Sequence, residues 1–115
     1  MRFGWGAAVL LPAGVAGAAA AAAPRNAVSE AIERMKPSER DARLAQMVGF
    51  WCVGTQSFLM GVADSGAEAG NAYWSVACLN GTSYAIQIDP LGRPVTVPCS
   101  VLADTGKAKE CFKKF

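Results

Sequence analysis

The sequence contains no histidine. That removes the serine–histidine–aspartate and cysteine–histidine catalytic sets, the commonest metal ligand, and the one side chain that ordinarily titrates near neutral pH. The four cysteines, Cys52, Cys78, Cys99 and Cys111, contain no C-x-x-C pair, so neither a zinc knuckle nor a thioredoxin-type redox pair is supported. No phosphate loop and no G-x-G-x-x-G appears. The carboxylates Asp64, Glu68, Asp89, Asp104 and Glu110 are scattered over expected turns and the tail, and no two suggest a general acid–base pair. An excess of one charge is lacking too. Eleven basic residues stand against nine acidic ones, so nothing points to nucleic acid. These absences together argue for a protein that is not an enzyme and uses no metal or cofactor.

What is present starts at the N-terminus. Arg2 is the only charge before Arg25, and the residues between are almost all apolar or small. A short basic start, an apolar centre at Trp5 to Leu11 and an alanine-rich end from Ala18 to Ala23 are the three parts of a secretory signal. Residues 1–22 are therefore expected to be a signal peptide, with the mature N-terminus between Ala19 and Ala23. The competing expectation is a retained membrane span over residues 3–23, which is just long enough. Alanine and glycine gain little from lipid, which favours the signal. The chain is then exported, periplasmic or extracellular, and touches a membrane only if the signal stays uncleaved.

Residues 23–47 read as a helical segment in two pieces. Val28, Ile32 and Met35 form one apolar stripe, and Leu44, Met47, Val48 and Trp51 another. Pro37 separates them, with Ser38 expected as the second N-cap. Residues 48–115 read as a small antiparallel sheet domain. The run 48–63 gives a helix end and one or two short strands, and 64–71 a surface loop. YWSVACL and TSYAIQI flank Asn80-Gly81, a tight hairpin signal. Asp89-Pro90-Leu91-Gly92 suits a type I turn, and VTVPCSVL follows as an edge strand because Pro98 lacks a donor. The tail after Leu102 has room for one helical turn before Gly106. The expected fold is α+β: an N-terminal signal helix, then a short helical segment packed on three or four antiparallel strands and stapled by disulfides. Trp51, Tyr73, Trp74 and Tyr84 are expected mainly as packing residues.

An even cysteine count in an oxidising compartment reads as two disulfides. With a two-residue turn at Asn80-Gly81, Cys78 faces Ser83. With a three-residue loop at Pro90-Leu91-Gly92, Ser83 also faces Cys99. Cys78 and Cys99 then lie two strands apart, roughly 9 to 10 Å, too far for a disulfide. Two connectivities survive, and Cys52–Cys78 with Cys99–Cys111 is the preferred one. The same register puts Trp74, Val76, Ala85, Val95, Val97 and Val101 on one face. Tyr73, Leu79, Tyr84, Ile86 and Ile88 fall on the other.

The residues Trp74-Ser75-Val76-Ala77-Cys78, Asn80-Gly81, Ser83-Tyr84, Cys99 and Glu110-Cys111-Phe112 resemble a pattern of small uncharacterised exported proteins of alphaproteobacteria. The hairpin is also similar in rhythm to PepSY-type periplasmic modules. The resemblance implies export to a bacterial envelope and brings no activity with it. The functional expectation is a non-catalytic exported domain that binds another envelope protein. A membrane-anchored accessory subunit and a small periplasmic inhibitor or enzyme are the alternatives. The basic tail KAKECFKKF is expected to be solvated, or to meet an acidic surface.

Overall fold

The computed structural model describes residues 24–105 and 110–115, so the expected signal segment lies outside the described residues. Two helices, α1 (Ala27–Glu33) and α2 (Pro37–Val48), pack on a four-stranded antiparallel meander. Its strands are β1 (Gly54–Val62), β2 (Ala72–Cys78), β3 (Ser83–Ile88) and β4 (Pro94–Pro98), in that spatial order. The fold is α+β, with two disulfides.

α1 is short and depends on its start. Asn26 is its N-cap, its Oδ1 accepting from the Ser29 N–H at 2.9 Å. The same side chain is buried, and its Nδ2 donates to Gly70 O and Ile88 O. One asparagine thus closes the helix and ties it to β3 and to the loop before β2. Ser29 is also buried and accepts from Trp74 Nε1 at 2.9 Å. The second helix begins two residues earlier than Ser38 would set it. Pro37 occupies the first turn and Lys36, extended, is the N-cap. Proline suits a helix start and forces the residue before it out of the helical region, so the cap falls on Lys36. Arg40 from α2 donates to the carbonyls of Glu33 and Met35, which closes the end of α1.

β2 is one of the two interior strands and is buried on both faces. On one face Trp74, Val76, Ile86 and Ile88 pack against Ile32, Leu44 and Ala45 of the helices. Each such side chain contributes about 1.5–3 kcal/mol of burial. On the other face Met60, Tyr73, Ala85 and Leu102 form a second, smaller cluster. No helix covers it. Phe112 and Phe115 from the tail lie there instead, against Phe58 and Tyr73 with ring centroids 6.5 and 5.4 Å apart. Phe112 N–H donates to the buried Ser75 hydroxyl, and Phe115 N–H to Met60 O. Cys99–Cys111 staples this tail to the end of β4.

Both hairpins turn in the same way. Cys78 N–H donates to Thr82 O and Gly81 N–H to Cys78 O, enclosing a three-residue loop. Asp89, Gly92 and Arg93 repeat the pattern. The expected two-residue turn at Asn80-Gly81 is therefore corrected. It would need positive φ at Asn80. Among the described non-glycine residues only Phe112 has positive φ, while Gly81 sits at φ 94°. Asn80 spends its side chain on Thr82 instead, accepting from its N–H and its hydroxyl. The extra loop residue slides β2 by one position, so Ser83 faces Ala77 rather than Cys78. A one-residue slip reverses a whole strand. Trp74 and Val76 hence share their face with Tyr84, Ile86 and Ile88, while Tyr73 joins Ala85, Val95 and Val97. Two further expectations shift. β4 stops at Pro98, and Val101 belongs to a 3-10 segment, Cys99–Thr105. Trp51 is not on α2, because that helix ends at Val48.

Candidate binding surface

Residues 49–53 leave α2, bend and enter β1. The Cys52–Cys78 bridge, with Cα atoms 5.1 Å apart, locks this bend to the end of β2. Leu79 N–H donates to Val53 O at 2.8 Å, so the bend and the β2–β3 loop lie side by side. Trp51 meets the edge of Tyr84 at 5.5 Å between centroids. The outward residues of this end are apolar: Phe50 is 100% exposed, Leu79 71%, Val53 58% and Trp51 44%. Together they present roughly 400 Å² of apolar surface, within the size range of the largest patch on an ordinary monomer, a patch that often has a function. Residues 49–54 and 79–84 include no charged side chain. A more polar cleft of about 350 Å³, lined by Thr82, Ser83, Tyr84 and Ser100 among others, adjoins it. An apolar centre with a polar, uncharged rim is the anatomy of a protein-binding surface.

No protein-family model matches the chain, and no curated protein or solved structure is similar to it.

The residues singled out from the sequence divide clearly. Cys52 and Cys78 are bridged, as are Cys99 and Cys111, the preferred pairing. Tyr73 and Trp74 are core residues and Tyr84 packs, half-buried, against the main core, whereas Trp51 is exposed. Of the tail lysines, Lys113 reaches Glu110 at 3.3 Å and Lys114 stands over the Phe58 ring. Lys107 and Lys109 lie outside the described residues. Among the described residues no three metal-ligating side chains come together. No described helix is long and apolar enough to cross a membrane.

The perturbed carboxylates are surface groups with local causes. Asp89 is held below the usual carboxylate range by the Arg93 backbone N–H and side chain, and by the Leu91 N–H. Glu30 is lowered by its hydrogen bond and charge pairing with Arg25. Both stabilise turns or helix ends rather than poise a proton. Sequence reasoning placed Trp51 in a helix stripe and Leu79 on a strand face. It missed that both sit on an exposed end, although the uncharged stretch around Phe50 and Trp51 was a usable signal.

Proposed function

We propose that the chain is a non-catalytic exported domain that binds another protein of the cell envelope through the end formed by Phe50, Trp51, Val53 and Leu79. The observation that carries this reading is the fully exposed Phe50 within an uncharged apolar patch held by a disulfide. A mobile loop would lose ordering entropy on binding, whereas a bend locked by Cys52–Cys78 has already lost it. The two disulfides fit a chain that matures in an oxidising compartment.

The direction of the chain supports a protein rather than the lipid bilayer as the occupant. Asn26 is bonded to Gly70 and Ile88, at the pole where β2 starts and β3 ends. The patch lies at the opposite pole, one strand length or about 20 Å away. If residues 3–23 were kept as a span, the patch would point away from that membrane.

Affinity capture from envelope extracts tests the proposal, with the wild-type protein and a Phe50→Asp, Leu79→Asp variant as parallel baits. The expected result is one specific partner retained by the wild type and lost by the variant. Equal capture by both baits, or no specific partner in mild detergents, would refute it.

A further inference from the structure

We propose that Cys99–Cys111 is a redox latch, which a dithiol opens while Cys52–Cys78 stays closed, so that the tail at 110–115 leaves the sheet face it covers. The latch shares no residue with the apolar end formed by Phe50, Trp51, Val53 and Leu79.

The two bridges differ in access. Cys52 and Cys78 are 7% and 3% exposed and belong to the main core. Cys99 and Cys111 are half-buried. Cys99 also lines the cleft of about 350 Å³ that Thr82, Ser83, Tyr84 and Ser100 share. Disulfide exchange needs a thiolate to reach a sulfur, so access decides which bridge reacts. Opening Cys52–Cys78 requires the core between the helices and the sheet to part. Cys99–Cys111 joins only the tail to the end of β4, so a local opening suffices there.

The latch holds a tail that is not at ease in its closed pose. Rings of Phe112 and Phe115 against Phe58 and Tyr73 keep it down, as do the bonds of Phe112 N–H to the Ser75 hydroxyl and Phe115 N–H to Met60 O. Two features oppose them. Phe112 sits at φ 62°, in the left-handed region that strains a residue with a side chain. Tyr73, whose ring Phe115 meets, has its hydroxyl buried with no hydrogen-bond partner among the described residues. Water satisfies that hydroxyl once the tail lifts. The covalent link offsets both costs, and cutting it favours release.

The exchange balances. A thiolate of the dithiol attacks the Cys99 sulfur, the S–S bond breaks, and the Cys111 sulfur leaves as a thiolate that takes a proton from solvent. The second thiolate of the dithiol then attacks its partner sulfur in the mixed disulfide, and Cys99 leaves and is protonated in turn. The dithiol ends oxidised and both cysteines end reduced.

A dithiothreitol time course on the purified oxidised protein tests the latch, with alkylation and peptide mapping to assign each reduced cysteine. Cys99–Cys111 is expected to open at least roughly tenfold faster than Cys52–Cys78, because the buried pair reacts only when the core parts. With only that pair reduced, amide exchange at Phe112 and Phe115 should rise at least roughly tenfold. The Leu79 amide, bonded to Val53 O, should keep its protection. Tyr73→Phe, which removes the unpartnered hydroxyl, should cut the rise at the tail several-fold. Earlier or simultaneous reduction of Cys52–Cys78 overturns the proposal. So does selective reduction that leaves Phe112 and Phe115 protected, or a rise that Tyr73→Phe leaves unchanged.

Discussion

Removing the disulfides one at a time should rank them by the loop that each closes. Cys52–Cys78 spans a sequence separation of 26 and Cys99–Cys111 one of 12. The chain-entropy relation then assigns about 3.5 kcal/mol to the first and about 2.8 kcal/mol to the second. For a domain of this size 1 kcal/mol moves Tm by roughly 4–8 °C. Replacing Cys52 and Cys78 with alanine should therefore lower Tm by roughly 14–28 °C, and replacing Cys99 and Cys111 by roughly 11–22 °C. The two losses together approach the whole stability of a small domain, about 5–15 kcal/mol, so the protein without cysteines should be largely unfolded at 37 °C. The structure adds a difference in kind. Loss of Cys99–Cys111 frees the tail, which packs over Met60 and Tyr73, so the Ser75 and Met60 region should lose protection first. Loss of Cys52–Cys78 loosens the helix face, where both cysteines belong to the main core. The assay is a thermal melt of the purified protein with and without reductant, followed by amide exchange on each double variant. A Tm unmoved by reductant, or identical exchange patterns in the two variants, would refute the reasoning.

Asn26→Ala strands Gly70 O and Ile88 O and uncaps α1; about 2–4 kcal/mol of destabilisation should appear in denaturant titration, more than for a cap alone. Gly61→Ala, at φ +154° and with its new methyl 2.9 Å from the Phe115 ring, should cost about 1–3 kcal/mol, and truncating Phe115 in the same chain should recover part of it. Asp89 and Glu30 titrate below their unfolded values, so their contribution is present above the ordinary carboxylate range and is lost as pH falls through their lowered values. Acid melts should show this shallow loss, and Asp89→Asn should flatten it. Leu10→Asp with Leu11→Asp should block export, read as precursor accumulating in cell fractionation, because charge in an apolar signal centre prevents insertion.

Local chemistry carried much of the fold into the sequence. Proline and glycine act on their own residue and its neighbours, so the break at Pro37 and the turn at Asp89–Gly92 are legible without a partner. The disulfide pairing was legible for a related reason. Placing Cys78 and Cys99 two strands apart excluded that pair, a distance that survives the one-residue slip at Asn80-Gly81, and the short loop from Cys99 to Cys111 favoured one of the two pairings left. The faces of β2 were not legible. A hairpin with Asn-Gly accepts either loop length, and only packing Trp74 onto Ser29 and the helices selects the longer one. The second layer is likewise tertiary. Nothing near Phe112 or Phe115 in sequence says that they cover Tyr73 and Phe58, because that contact exists only once Cys111 is bridged to β4. Exposure is the last feature of this kind. Phe50 and Leu79 are as apolar as any core residue, and only the closing of the fold between them leaves both facing outward.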